Sequence, residues 1–459
     1  MYQIDFHTPI HIFFCGIGGI SMSGLAEILL DRGFQVSGSD MKESELTEAL
    51  SAKGATVYIG QRASNITADI DCMVYTSAIH PDNPEYQRAQ ELGLASMTRA
   101  ELLGQLMTNY SCPIAVSGTH GKTTTTSMIA DILMAADTDP TISVGGILET
   151  IGGNIRVGSS DYFVTEACEY TNSYHSFLPK ISLILNIEED HMDFFHDLQE
   201  IRNSFHTFAG LLPEDGLLII NGDIPHHEEL ASDLPCKVLT YGSHASCDYY
   251  PTDICHNKLG HTTALVHTSQ GDTFPIELCV PGNHNLYNAL AALTLSDYLG
   301  IDRGIALAAL KTFTGSKRRF EYKGSLGSIA VIDDYAHHPT EITASLTAAR
   351  DYDCHQLWCV FQPHTFTRTK AFMEEFAQAL SLADHVVLAE IYPARETDNL
   401  GISSRDLQAK IQALGTDCHY FATFDSIENF LLENLIHNDM VITMGAGDIV
   451  KVGEKLLGI

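Results

Sequence analysis

The stretch Ala115–Leu133, AVSGTHGKTTTTSMIADIL, constrains the fold of this chain more than any other. It reads as the end of a buried strand, a glycine-broken turn, a lysine, four threonines and then an apolar-periodic helix. That order makes a βα unit, in which the helix covers one face of a parallel sheet through a right-handed crossover. It also gathers amide N–H groups and a helix N-terminus around one point, which suits a phosphate. Gly118 and Gly121 let the amides turn inward, Lys122 offers a cation to the β and γ phosphates, and Thr123 offers a hydroxyl to Mg2+. Only the second half of a full phosphate-loop pattern is matched, because Val116 stands where the first glycine belongs.

The same rhythm recurs on both sides. Residues 1–107 alternate strand and helix, beginning with IHIFFCGIGGISMSGLAEILLDRGFQVSGSD: a strand over 10–15, a glycine turn, a helix near 21–32, and a second strand ending at Asp40. Apolar runs at 55–59 and 72–76 continue the sheet, and TSAIHPDNPEY interrupts it as a loop. Residues 108–313 carry the phosphate turn, two strands ending in acids (DYFVTEACEY, ISLILNIEEDHMD), the strands of DGLLIINGD and KVLTYGS, and an insert at about 246–280 that reads as a small antiparallel patch. Residues 314–459 open on TGSKRRFEYKG, a polar basic connector, and return to βα alternation with near-continuous apolar strands, the pattern of a sheet covered on both faces. The expected fold is α/β in three domains: Rossmann-like over 1–107, a central phosphate-loop ATPase-like domain with a mostly parallel sheet over 108–313, and a second Rossmann-like domain over 314–459.

Composition narrows the function. The 26 basic and 58 acidic side chains leave a formal charge of −32, whose field opposes a nucleic-acid partner. It equally repels a nucleoside triphosphate, so any site for one needs local cations, helix N-termini and metal. No apolar run is long enough for a membrane span and the amino end lacks a basic leader, so the expected location is cytoplasmic, without a membrane partner. Eleven scattered cysteines without a CxxC pair fit reduced thiols rather than a disulfide frame or a zinc site.

The remaining motifs each admit a plain structural reading. Gly16, Gly18, Gly19 and Gly24 loosely match GxGxxG, and Asp40 ends the next strand where a ribose-binding acid would stand. Glu166 and Glu169, and Glu188, Glu189, Asp190 and His191, end two strands of the central segment, where carboxylates can hold a metal. NHNLYN at 283–288 is equally a helix cap and a site. Lys317-Arg318-Arg319 and QPHTFTRTK, with His364, Arg368 and Lys370, read as anion clamps in so acidic a chain, and DDYAHHP places Asp334, His337 and His338 just past a strand.

GTHGKTTTT, EACEY, EEDHMD, NHNLYNALAA, SKRRFE, DDYAHHPTEI and FQPHTFTRT occur in the order and at about the separations found in the Mur ligases of peptidoglycan synthesis, and together cover nearly the whole chain. The chain therefore resembles that family, and GIGGISMSGLAEIL is similar to the branch that joins L-alanine to UDP-N-acetylmuramate. The resemblance implies an ADP-forming amide ligase using ATP and Mg2+, active as a monomer or homodimer on small-molecule substrates. It implies ATP contacts at Gly118, Thr119, His120, Gly121, Lys122, Thr123 and Thr124, with His284, Asn285, Asn288 and Asp334 on the adenine and ribose side. Thr123, Glu166 and His191 fall on the metal positions, and Arg319 on the arginine that reaches the phosphates. Gly16, Gly18, Gly19 and Asp40 face the UDP moiety, and Tyr335, His337, His364 and Arg368 the acyl and amino-acid end. Lys122, His191, Arg319 and His337 are the catalytic candidates, with His191 or His337 as the base.

Two departures stand out. Sister ligases carry a carbamylated lysine some fifteen residues after their EDH, whereas no lysine lies between Lys180 and Lys237 here and the position falls near His206. Thr365 stands where many relatives have arginine. The rival readings are a recycling ligase that adds a ready-made tripeptide to the same sugar nucleotide, and a silent regulator that keeps the fold without turnover. Substrates split between sheets imply domain rotation hinged near 108 and 314.

Overall fold

The computed structural model describes residues 2–459 except 77–78, 193, 258–259 and 395. The architecture is three-domain α/β, built on mostly parallel sheets, and the chain divides into two compact units. One comprises Met1–Gly118, Ile129–Leu185 and Arg202–Leu239; the other comprises Thr119–Met128, Asn186–Ile201 and Thr240–Ile459.

The first unit opens with five parallel strands in the order Thr56–Ile59, Gln35–Asp40, His11–Cys15, Cys72–Tyr75, Ala95–Thr98. The central strand HIFFC is wholly buried, as its unbroken apolar run requires. The order reverses beside it, so the turn at Gly16–Gly19 lies at the switch point where such sheets bind ligands. Gly38 is required there: a Cβ would come within 2.6 Å of the Phe14 carbonyl oxygen. Of the expected loop at 76–86, residues 77–78 lie outside the described residues, and its last residues open the helix Pro84–Glu91, capped by Asn83.

A second set of strands in this unit runs Leu217–Asn221, Ile181–Ile184, Cys112–Ser117, Tyr162–Ala167, Thr141–Leu148, all parallel, with Gly153–Arg156 antiparallel at the edge. The helix Ile20–Asp31 meets this edge, where Asn154 Nδ2 donates to the Ile20 carbonyl (2.8 Å) and Gly24 faces Ile155. The helix Arg99–Met107 packs as tightly on the turn Tyr170–Ser176, since a Cβ on Gly104 would lie 1.8 Å from the Ser176 carbonyl oxygen. Gly104→Ala is therefore expected to destabilise this unit by about 2–3 kcal/mol, visible as faster hydrogen exchange of the Arg99–Met107 amides.

In the second unit, Tyr249–His256, His261–Thr268 and Thr273–Pro281 form the expected antiparallel patch. The last sheet runs Glu321–Leu326, Ile329–Asp334, Met440–Met444, Leu357–Phe361, His385–Leu388, Asp417–Tyr420, parallel except for its first strand. Its two faces carry separate apolar cores, one around Phe361, Phe376 and Leu380 and the other around Trp358, Val441 and Leu431. Here the expected connector needs correction: its end, from Glu321, is an edge strand, polar because only one side of it pairs. No described helix is long and apolar enough to cross a membrane, and all eleven cysteines are free thiols.

Candidate active site

The phosphate turn owes its shape to glycine and to a neighbouring asparagine. Gly118 (φ +146°) and Gly121 (φ +82°) hold conformations that side chains resist. Asn186 pairs with the His120 main chain in both directions: its Oδ1 accepts from His120 N (2.7 Å) and its Nδ2 donates to His120 O (3.0 Å). Glu188 N donates to Thr119 Oγ1 (2.9 Å), and Lys122 Nζ is drawn over the turn to the Thr119 carbonyl (3.0 Å). The helix Lys122–Ala135 begins there, with Thr123 and Thr124 buried at its start.

His120 leads from the turn into a charged cluster. Its Nδ1 lies 3.2 Å from Glu341 Oε1 and its Nε2 3.5 Å from Glu188 Oε2. Burial opposes its protonation, but the Glu188 and Glu341 carboxylates outweigh this and raise its pKa to about 9. Thr340 Oγ1 donates to Glu188 Oε2 (2.6 Å), and His338 Nε2 meets the Glu189 carbonyl (3.1 Å). Arg319 Nη1 stands 4.0 Å from Glu341 Oε1. Asp190 binds Arg368 through Nη2 (3.0 Å) and Nε (3.3 Å). His191 follows at φ +54° and is 23 % exposed.

The carboxyl end of Ile329–Asp334 supplies the next group. Asp334 is buried, accepting from Ser345 Oγ (2.6 Å) and Ala336 N (2.9 Å), and burial raises its pKa to about 6. Tyr335 lies under the guanidinium groups of Arg318 and Arg319, 4.9 and 5.2 Å from its ring centre. His337 Nδ1 lies 3.0 Å from the Tyr335 carbonyl, which fixes that nitrogen as the N–H and leaves Nε2 as the acceptor. Burial lowers its pKa to about 4, although Glu341 works the other way. His364 stacks on Tyr392 and approaches Arg368 Nη1 (3.4 Å).

The basic islands are less free than their sequence suggests. Arg318 is structural: Nε donates to the fully buried Asp333 (3.0 Å), Nη1 to the Gly447 carbonyl (3.0 Å) and Nη2 to that of Gly445 (2.7 Å). Lys370 donates to the Leu400 carbonyl. At the start of Asn283–Tyr298, Asn285 donates to the Pro281 carbonyl (2.7 Å) and Asn288 to Asn285 Oδ1 (3.2 Å), while the exposed His284 folds back over Gly282. Thr365, lacking the arginine's charge, caps the helix Phe366–Ala371 at φ +67°.

Within the first unit, Asp40 Oδ2 accepts from Gly18 N (2.9 Å), closing the turn that holds Gly16 and Gly19. Glu166 Oε1 accepts from Gly145 N (2.5 Å), and a Cβ at Gly145 would lie 2.9 Å from the carboxylate and shift it. His206 is exposed on the helix Leu198–Ala209. Sequence reasoning singled out Glu188 among the strand-end acids but missed Asn186 and Glu341 as parts of the site. The spacing of Glu341 four residues after His337, across a helix start, was the one available signal.

Three family models match this chain in tandem: the Mur ligase family catalytic domain over residues 11–111, the Mur ligase middle domain over 116–296, and the Mur ligase glutamate ligase domain over 318–447. The chain belongs to the Mur ligase family. This Mur ligase is 57 % identical over 460 residues to a UDP-N-acetylmuramate--L-alanine ligase of Lachnospira eligens, covering 100 % of both chains. It is 55 % identical over 457 residues to the protein of that name from Agathobacter rectalis, again covering 100 % of each. Among solved structures, UDP-N-acetylmuramate-alanine ligase MurC of Thermotoga maritima matches with a TM-score of 0.83 and 30 % identity over 98 % of both chains. A murein peptide ligase of Psychrobacter arcticus matches at 0.73 and 25 %, also over 98 % of each.

Proposed function

We propose that this Mur ligase joins L-alanine to the lactyl carboxylate of UDP-N-acetylmuramate, with ATP converted to ADP and phosphate. The observation that carries the reading is full-length similarity to relatives of that name in a chain that keeps the Lys122–Thr123 turn intact. The reading places the enzyme in the cytoplasm. Residues 1–107 hold the UDP sugar at Gly16, Gly18, Gly19 and Asp40, residues 108–313 hold ATP, and residues 314–459 bring in the amino acid.

A carboxylate is a poor acyl donor. Its oxygen attacks the γ-phosphorus, the bond to the ADP oxygen breaks, and an acyl phosphate forms. The alanine amine then attacks the acyl carbon, phosphate departs with the C–O electron pair, and the amine loses a proton. The first step asks for positioning and charge neutralisation, supplied by Lys122 and Arg319. Bound Mg2+ would add a Lewis acid to the triphosphate. The hydroxyl of Thr123 and the carboxylate of Glu166 are the hard oxygen donors that ion prefers, whereas the His191 imidazole suits a water of its hydration shell. For the second step, His337 is a candidate to take the amine's proton at Nε2, the acceptor nitrogen left by the contact of Nδ1 with the Tyr335 carbonyl. Tyr335, His364 and Arg368 line the amino-acid and carboxylate side.

The test is a coupled ADP-release assay with UDP-N-acetylmuramate, Mg-ATP and a varied amino component. Release that requires free L-alanine is expected. Release with the tripeptide but not with alanine would move the enzyme to murein recycling, and no release with every substrate present would make it a silent regulator.

A further inference from the structure

The cluster around His120 has a composition that phosphoryl transfer does not call for. His120, Glu188 and His338 each present one ligand atom, and the three atoms lie within 4.8 Å of one another. The residues come from three separate stretches of the second unit, so the fold, not local sequence, assembles them. His120 Nε2 is buried and makes no well-formed hydrogen bond, although Glu188 Oε2 stands 3.5 Å away. A metal ion bound there would displace the ring proton that faces the Glu188 carboxylate and take its place between the two groups.

We propose that His120, Glu188 and His338 form a binding site for a borderline transition-metal ion of the Zn2+ type, with Glu341 as the positioning carboxylate. The donor set argues for that class. Two imidazoles and one carboxylate with an open fourth position is a zinc arrangement, whereas Mg2+ asks for oxygen alone. A tetrahedral ion with bonds of about 2.0–2.1 Å holds its ligands roughly 3.4 Å apart, and the His120–Glu188 pair already has that separation. The His120 and His338 rings lie 4.9 Å apart at 37°, and with the three donor atoms within 4.8 Å of one another the set closes with a shift of at most about 1.4 Å. That shift gives up one long hydrogen bond, to the Glu189 carbonyl (3.1 Å) or from Thr340 N (3.4 Å).

The surroundings repeat a known device. Glu341 Oε1 sits 3.2 Å from the other nitrogen of His120, forming the carboxylate–imidazole–metal relay that fixes the ring and raises its basicity. The Glu188 and Glu341 charges balance a dication. Because His120 is two residues before Lys122, an occupied site would pin the phosphate turn to the start of the helix Pro339–Arg350. The site uses none of Thr123, Glu166 or His191, and it stands whether or not the proposed activity is right.

The experiment uses the full chain, stripped with a chelator, and titrates Zn2+ against a chromogenic competitor in the presence of excess Mg2+. One equivalent bound against that excess is expected. His338→Gln and Glu188→Gln should each abolish this binding, Glu341→Gln should weaken it by about 10–100-fold, and His419→Ala, altering a surface His–Asp pair, should leave it unchanged. Co2+ in place of Zn2+ should give visible d–d bands without a thiolate charge-transfer band. Zinc-soaked crystals of the unaltered protein should carry an anomalous peak bonded to all three residues, a readout independent of how the variants fold. Undiminished binding in His338→Gln or Glu188→Gln, a thiolate band, no bound equivalent or an anomalous peak elsewhere would each overturn the proposal.

Discussion

Replacing Lys122 with alanine is expected to lower the rate of ADP release by roughly 10^3-fold, the loss typical of a charge that acts on the reacting oxygens. The half-buried ammonium sits at the first residue of Lys122–Ala135, held over the turn by the Thr119 carbonyl. In a chain with a formal charge of −32, a triphosphate needs that cation to overcome the surrounding field. The loss should fall on kcat and kcat/KM for ATP together, with folding unchanged by circular dichroism. Peptide-bond formation at the unaltered rate would contradict the role given to the turn.

The second large effect is on stability. Asp190 and Arg368 are 8 % and 13 % exposed and share two hydrogen bonds. Burial alone would raise the Asp190 pKa, but His191, Arg368, His337 and His338 hold it well below the usual range, so it is fully ionised. Asp190→Ala would strand a buried guanidinium and is expected to cost about 3–5 kcal/mol. Replacing both partners, Asp190→Leu with Arg368→Met, should restore most of it. Trp358, the single tryptophan, lies 3 % exposed in the last sheet and reports this unit's unfolding in urea. An unshifted transition in Asp190→Ala would mean that the pair contributes nothing.

Much of the fold is legible in the sequence because its strands are buried on both faces. HIFFC, LLIIN, LWCVF and MVITM are apolar runs that periodicity finds readily. EYKGSL escapes because an edge strand needs no apolar run, and DCHY because four residues carry too little pattern. The glycine turns announce themselves through residues that only a positive φ explains. Glu341 and Asn186 do not: a glutamate in a helix's first turn reads as a dipole partner, and an asparagine after a strand reads as a turn former. Their roles depend on groups far away in the chain, and Arg318 hides its structural role for the same reason, since its partners Asp333, Gly445 and Gly447 cannot be paired with it from one sequence.

The bond from Gly18 N to Asp40 Oδ2 has a bearing on selectivity. A carboxylate at the lip of a glycine loop disfavours any guest that arrives as bare polyphosphate and welcomes one that leads with hydroxyl donors, as a ribose does. If this turn holds the UDP sugar as proposed, the carboxylate that receives it is already clamped by the main chain, so the filter is set before any guest arrives.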